Sequence, residues 1–190
     1  MTEIYISTDI EADGPIPGPH NMLSIGCAAF GPQRNLLDTF SANLTEMPDT
    51  TMDPDTKKFW DKFPEAYAET RKNMVHPEVG MRLLEKWLKT LPGKPVFVAY
   101  PAGFDFTFVM WYLYTFIGYS PFSHAALDMK TYGMCLMGKE YRRSTKRNMP
   151  KKWWLKKLPH THVALDDAIE QGYLFMGMLQ EREKQNDPNS

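Results

Sequence analysis

The sequence is poor in cysteine, carries little net charge of either sign and has no long apolar run. Its two cysteines, Cys27 and Cys135, lie far apart without metal-ligand spacing, so we expect neither a disulfide framework nor a cysteine metal site. The most hydrophobic stretch, residues 104–118, includes an aspartate and is shorter than the ~20 apolar residues that a membrane-spanning helix requires. The first residues lack the pattern of a secretory signal. These absences indicate a reducing, cytoplasmic location and no membrane partner.

The composition is typical of one globular domain. The chain has 190 residues, of which 43% are hydrophobic and 24% charged, and it can therefore bury a sizeable core. Its net charge of -1 conceals an uneven distribution, because residues 139–157 hold nine lysines and arginines but one glutamate. We expect a domain over residues 1–182, followed by a polar tail over residues 183–190.

The order of strand-like and helix-like segments predicts an α/β fold. Short apolar runs separated by proline and glycine indicate an antiparallel meander of three strands near residues 4–11, 22–30 and 35–43. Later segments are expected as a strand at 95–100 and as helices near 54–62, 64–72, 78–90, from 104 onward and at 163–181. Strands followed by alternating strands and helices favour a sheet covered by helices.

Two acids near the start of the chain share one face of a strand. Asp9 and Glu11 are separated by one residue, and side chains at positions i and i+2 of a strand project to the same side. An edge strand that exposes its acids to water would show the same spacing. The pair is therefore a candidate ligand set only in combination with other acids.

A third acid, Asp105, stands at the junction of an apolar strand and an apolar helix. A buried charge there is costly unless it is paired or bound to a cation. An acid in the first turn of a helix is also favoured by the helix dipole, by ~0.3 to 1 kcal/mol, without any further role.

Histidines and aspartates cluster where the last helix begins, in "HTHVALDDA". His162 precedes Asp167 by five residues, which suits a histidine on the preceding loop that reaches over the same site. Helical periodicity does not choose between Asp166 and Asp167, nor between His160 and His162. A surface or capping role for either histidine is the alternative.

The four acids and one histidine together suit phosphodiester hydrolysis. Two divalent ions ~4 Å apart can neutralise charge, generate a nucleophile and stabilise the leaving group, and carboxylates are the ligands that Mg²⁺ or Mn²⁺ prefers. The unperturbed histidine pKa of ~6.5 suits a general base near neutral pH.

The order D-x-E, then "FD", then H-x4-D resembles the DnaQ-like exonuclease superfamily of the DEDDh type along the whole chain. The segment "DPDTKKFWDKFPEA" is similar to a branch of phage and bacterial exonucleases and mycobacterial exoribonucleases. The resemblance implies a ribonuclease-H-like α/β domain with a mixed sheet of about five strands flanked by helices. It implies a 3′-to-5′ exonuclease with two Mg²⁺ or Mn²⁺ ions, and His162 as general base. The implied metal ligands are Asp9, Glu11, Asp105 and Asp167.

Substrate contacts are also expected by that resemblance. Relatives hold the terminal base with apolar residues that correspond to Ile10, Met22 and Leu23, for which a plain core role is the alternative. In the basic stretch, lysines and arginines interleaved with Trp153 and Trp154 favour phosphate attraction and base stacking; the alternative is a solvated face with the two tryptophans packed inward. The basic candidates for phosphate contact are Arg143, Lys146 and Arg147.

Tyr100 and Pro101 are a departure, because many relatives have a polar pair there. The expected substrate is a single-stranded RNA or DNA 3′ end, and the sequence does not choose between the polymers. Relatives are often homodimers, so a homodimer is compatible with the resemblance. Two other functions use the same features: a two-metal phosphohydrolase of small nucleotides, and a nucleic-acid-binding module without catalysis.

Overall fold

Five strands form one mixed sheet in the order β3-β2-β1-β4-β5. The computed structural model describes residues 2–186. β1 pairs antiparallel with β2, and β2 with β3, whereas β1–β4 and β4–β5 are parallel. The predicted meander and the mixed sheet of five strands are therefore confirmed. The strands are β1 (Glu3–Ala12), β2 (Met22–Phe30), β3 (Leu36–Asn43), β4 (Lys94–Ala99) and β5 (Leu127–Asp128).

Six helices flank the sheet, and proline or a capping aspartate fixes several of their starts. They are α1 (Pro54–Trp60), α2 (Pro64–Thr70), α3 (Pro77–Thr90), α4 (Ala102–Ile117), α5 (Met129–Met137) and α6 (Ala164–Asn186). Proline opens α1, α2 and α3, where its missing N–H costs no hydrogen bond. Asp53 caps α1 by accepting from two backbone N–H groups. α4 ends at Gly118, whose φ of 82° few other residues adopt.

Each face of the sheet has its own core. On one face, α4 packs against β1 and β4, and α3 packs against β3 and α4, through residues such as Leu84, Phe108 and Tyr112. On the other face, α5 and α6 pack through residues such as Met129 and Phe175. β2 is buried over its whole length, because both layers cover it. This arrangement brings one end of β1 between the first turns of α4 and α6.

Two expectations for the second half of the chain change in detail. The basic stretch 139–157, predicted as a loop, contains three short 3-10 turns, and Trp153 is buried at 2% exposure. Trp153 packs in the core under α6, so its expected role in base stacking is wrong. α6 continues to Asn186, so residues 183–186 of the expected tail are helical. Residues 187–190 lie outside the described residues, and the domain boundary at 182 stays a prediction.

Across residues 2–186, no helix combines the length and the apolar character that crossing a membrane would require.

Candidate active site

The first two acids project from the end of β1 toward α6. Asp9 pairs with Gly26 and Glu11 with Ser24 of β2, so the two carboxylates lie on one face, as predicted. Asp9 is partly buried and Glu11 is buried at 9% exposure. The indole N–H of Trp60 donates to the carbonyl of Ala12 at 3.0 Å, which ties α1 to the end of this strand.

Asp105 reaches the same region from the first turn of α4. Its side chain is 3% exposed, and its Oδ1 accepts a hydrogen bond from the backbone N–H of Ile10 at 3.0 Å. Ile10 lies between Asp9 and Glu11, so this bond fixes α4 against the acid pair. Asp105 lies in the first turn of α4, where the helix dipole also favours an acid, but its burial still leaves a charge that needs a proton or a cation.

Asp167 is held at the start of α6 by the turn that precedes it. The backbone N–H groups of Thr161 and His162 donate to its two carboxylate oxygens at 2.9 and 3.0 Å. His162 adopts a φ of 56°, which directs its N–H toward Asp167. Asp166 is exposed, and its carboxylate accepts a hydrogen bond from the Thr161 hydroxyl at 3.2 Å. Of the two aspartates that spacing left open, Asp167 is the one that lies close to Asp9 and Glu11.

Three acids converge closely and the fourth lies beside them. Asp9, Glu11 and Asp167 each offer a carboxylate oxygen, and these atoms all lie within 4.8 Å of one another. Asp105 is near enough for its charge to raise the pKa of Asp9. We call these four residues the acid cluster. They come from three elements, β1, α4 and α6, which meet at one end of the sheet.

Burial and mutual repulsion disfavour ionisation in the acid cluster. Burial raises the pKa of Glu11 to about 10, and the negative charges of its neighbours add to this effect. Burial also raises the pKa of Asp9 well above its ordinary value, followed by the charges of Asp105 and Asp167. The pKa of Asp105 rises to about 7 through burial, against the hydrogen bond from Ile10. Such a cluster requires protons or cations to neutralise it.

Three polar residues that the sequence interpretation did not assign to the acids complete the surroundings. The Gln171 amide donates to Asp9 Oδ1 at 2.5 Å. Lys146 Nζ lies 3.0 Å from the buried carboxylate of Glu170, and its positive charge lowers the pKa values of Asp9, Asp105 and Asp167. Lys146 was expected to contact phosphate, but its position beside the acids was not foreseen. Gln171 stands four residues after Asp167 on one helix, a spacing that places it on the same helical face as Asp167 but does not reveal its bond to Asp9.

The two histidines differ in their contacts. Nδ1 of His160 lies 3.0 Å from Asp167 Oδ2, and this hydrogen bond raises the pKa of His160. The His162 ring packs on Phe63 and Phe59, with ring centroids 4.3 and 5.1 Å away. Burial, followed by the charge of His160, lowers the pKa of His162. The histidine chosen by the resemblance is therefore the one biased toward its neutral form.

The pKa of Asp167 reflects opposing effects. Burial raises the pKa of Asp167, but the hydrogen bonds from His160 and from the Thr161 N–H together lower the pKa by more, so the net shift is downward. Asp167 is thus the member of the acid cluster with the strongest tendency to stay ionised.

A cleft of about 390 Å³ opens beside Glu11. Its walls are mostly apolar and aromatic, and Asp55 and Thr56 supply polar groups; Ile10, Ala12, Phe59, Trp60 and Phe104 are among the lining residues. Ile10 is buried at 4% exposure but lines this cleft, and its expected contact with a base stays a prediction. Met22 and Leu23 do not line the cleft, because both are fully buried in the core and have no surface to offer a substrate. Their core interpretation was the correct one.

Arg143 and Arg147 lie on the basic segment and are exposed. Arg143 is 3.6 Å from Glu140 and has no described contact with the acid cluster. The hydroxyl of Tyr100 accepts from the backbone N–H of Lys146 at 3.0 Å. The tyrosine that replaces the usual polar residue therefore anchors the basic segment beside the acids.

Comparison with known proteins assigns the family. No family model matches the sequence. The chain is 30% identical over 198 residues to the 3′-5′ DNA exonuclease Cap18 of Escherichia coli, with 96% of each chain aligned. The chain belongs to the DnaQ-like superfamily of 3′-5′ exonucleases.

Solved DnaQ-like structures share the fold at lower identity. The nuclease domain of 3′hExo, a DEDDh family member bound to rAMP, matches with a TM-score of 0.71 and 13% identity, covering 94% of this chain and 92% of that one. A product-bound exonuclease I matches with a TM-score of 0.62 and 13% identity, covering 97% of this chain and 44% of that one. The expected ribonuclease-H-like fold is confirmed. The chain is a 3′-5′ exonuclease, and the acid cluster is its candidate active site.

Proposed function

We propose that this exonuclease hydrolyses the 3′-terminal phosphodiester of single-stranded DNA and releases nucleoside 5′-monophosphates. Its cofactors would be two Mg²⁺ or Mn²⁺ ions held by Asp9, Glu11, Asp105 and Asp167. The observation that carries the proposal is the convergence of these four buried or partly buried carboxylates at one end of the sheet, beside an open cleft.

The donor set fits divalent cations of the hard type. The donors that Asp9, Glu11 and Asp167 offer close to one another are carboxylate oxygens, which Mg²⁺ and Mn²⁺ prefer. The raised pKa values of Glu11 and Asp9 reflect a local excess of negative charge, which bound cations would neutralise. When bound, two such ions supply charge neutralisation and activation of water for attack on phosphorus.

His162 is the proposed general base. It stands at the edge of the acid cluster, held by Phe59 and Phe63 on one side and by its own backbone bond to Asp167. A ring fixed in this way can accept the proton of the attacking water and release it to solvent, because the His162 ring is only partly buried.

The cleft and the basic segment support a polymeric substrate. The apolar wall that includes Ile10, Phe59 and Phe104 suits the face of a terminal base, since stacking on aromatic side chains is independent of sequence. Lys146, Arg143 and Arg147 supply positive charge for phosphates farther along the strand. DNA is proposed first because the named relative Cap18 is a DNA exonuclease.

The test is a time course with 5′-labelled single-stranded DNA and RNA of equal sequence, in Mg²⁺, Mn²⁺ or chelator. Asp167→Asn and its neighbour Asp166→Asn form a matched pair of variants. Asp167 is a proposed direct metal ligand, and even the hydrogen-bond partners of metal ligands typically contribute 10- to 100-fold, so we expect Asp167→Asn to lose at least ~100-fold in rate. Asp166→Asn should remain near wild type.

The outcomes separate the competing functions. Metal-dependent shortening of DNA that is lost in Asp167→Asn supports the exonuclease mechanism, and faster shortening of RNA would revise the substrate. Turnover of mononucleotides with no shortening of either polymer would indicate a small-molecule phosphohydrolase. Salt-sensitive binding without turnover in either metal would indicate a binding module.

A further inference from the structure

A second set of possible metal ligands adjoins the acid cluster and differs from it in chemistry. His160, His162 and Asp167 each offer one donor atom, and these three atoms lie within 4.8 Å of one another. Asp167 is common to this set and to the acid cluster. We call the three residues the histidine triad.

Packing and backbone bonds hold the histidine triad in place. Nδ1 of His160 is 3.0 Å from Asp167 Oδ2, and the two imidazole ring centroids are 4.5 Å apart. The Asp167 carboxylate is fixed by two backbone N–H groups, and the His162 ring rests on Phe63. The donors are thus assembled before any ion arrives, which lowers the entropic cost of binding.

Two imidazoles and one carboxylate select a different cation from an all-carboxylate site. Imidazole suits zinc and other late first-row ions, whereas Mg²⁺ prefers oxygen alone. Tetrahedral zinc with ligand bonds of ~2.0 to 2.1 Å separates its ligands by ~3.4 Å, so the existing 3.0 Å contact is close to the required spacing. Glu170 Oε2 lies 3.9 Å from His160 Nδ1, but it is ion-paired with Lys146 Nζ at 3.0 Å and would have to leave that lysine to serve as a fourth donor.

We propose that the histidine triad is an inhibitory site for Zn²⁺. An ion bound there would occupy His162 and withdraw Asp167 from the acid cluster, so zinc and the activating ions would exclude one another. Zinc binding itself does not depend on the proposed function, whereas the inhibition rests on the proposed roles of His162 and Asp167.

Binding is measured first, by calorimetric titration of the metal-free full chain with zinc chloride, with NMR of the histidine rings in parallel. We expect one zinc ion with the His160 and His162 resonances shifted, and at least a 10-fold loss of affinity in His160→Ala. His124→Ala is the matched control, because His124 is exposed and lies outside the triad. Equal zinc affinity in wild type and His160→Ala, or unmoved histidine resonances, would overturn the proposal.

Inhibition is measured second, as the zinc concentration that halves exonuclease activity at two Mg²⁺ concentrations. We expect this concentration to rise with Mg²⁺, and to rise at least 10-fold in His160→Ala. Inhibition unaffected by His160→Ala would mean that zinc acts at the carboxylates. Asp105→Asn distinguishes the two proposals, because it removes a member of the acid cluster without touching the triad. The Asp105→Asn variant should still bind zinc, whatever its exonuclease activity. Its exonuclease activity tests the proposed function separately.

Discussion

Gln171 shows how one neutral side chain can position an acid. Its amide donates to Asp9 Oδ1 at 2.5 Å while the residue is 1% exposed, so it orients a proposed metal ligand from behind. Hydrogen-bond partners of metal ligands typically affect metal affinity or activity by 10- to 100-fold. Because the Gln171 amide is neutral, it positions Asp9 without adding charge to a cluster that already holds four acids.

Replacing Gln171 by methionine keeps the volume of the side chain and removes the donor. We expect the exonuclease rate at fixed Mg²⁺ to fall by ~10-fold or more, with a higher Mg²⁺ concentration needed for half-maximal rate. The measurement is a metal titration of activity beside Gln185→Met, an exposed change on the same helix. A loss of rate with an unchanged metal requirement would contradict the positioning role.

Cys27 and Cys135 should differ sharply in reactivity. Burial raises the pKa of the Cys27 thiol to about 12, whereas Cys135 is exposed. The thiolate is the reactive form, so at neutral pH we expect a thiol reagent to modify one cysteine in the native protein and two after denaturation. Titration with a chromogenic disulfide checks this, and rapid native modification in a Cys135→Ser variant would contradict it.

Sequence reasoning found the acids but not what supports them. Asp9, Glu11 and Asp105 stand out because a charge in an apolar strand or helix junction needs an explanation. Gln171 bonds a residue 162 positions away, and no local pattern encodes that contact. Met22 was a substrate candidate by resemblance alone, and its burial became visible only once β2 was covered on both faces.

At the level of elements, Gly26 permits the approach of α6 to the sheet. It lies opposite Asp9 in the β1–β2 pair, and a Cβ added there would stand 2.3 Å from the backbone of Ala164. That contact fixes the distance between the sheet and the first turn of α6, which carries Asp167. The convergence of the acids therefore depends on a missing side chain.

Replacing Gly26 by alanine should displace α6. Overpacking of this kind costs typically ~1 to 3 kcal/mol, and we expect a lower free energy of unfolding together with a loss of activity in the folded fraction. Denaturant unfolding and specific activity are the measurements. The control is Gly103→Ala, because a Cβ there meets nothing within 4 Å. Wild-type stability in Gly26→Ala would show that α6 tolerates the shift.

Element boundaries were predicted well where proline or glycine marks them. α1, α2 and α3 begin at prolines, and their predicted starts lie within one residue of the observed ones. The predicted end of α6 is residue 181, because the residues that follow are polar and were expected to fray from the helix. The helix instead continues to Asn186. Ion pairs such as Glu183 with Arg34, 2.9 Å apart, bind this polar turn to the body of the fold.

For the molecule as a whole, the acid cluster makes stability depend on pH and on metal. Glu11 has a pKa of about 10 in the folded protein, raised mainly by burial from its ordinary value of 4.5. A raised carboxyl pKa contributes stability that is complete below the unfolded value and is lost as pH rises through the folded value. His160 acts in the same direction, since its pKa is also raised.

The metal-free protein should therefore melt at a lower temperature at about pH 9 than at about pH 6. Added Mg²⁺ should raise the melting temperature, and by more at the higher pH, because bound cations favour the ionised carboxylates. Thermal unfolding in chelator and in Mg²⁺ checks both statements, and Glu11→Gln should flatten the metal-free dependence. A metal-free melting temperature that rises over this interval would contradict the account.

The most direct measurement of the central claim compares two labels on one single-stranded DNA in Mg²⁺. Label at the 3′-terminal nucleotide should be released at once as a mononucleotide, while label at the 5′ end should pass through a ladder of successively shorter strands. Neither the released mononucleotide nor the ladder should form in chelator. A strand with a blocked 3′ end should stay intact. Internal fragments from the blocked strand, or release that begins at the 5′ end, would contradict the account.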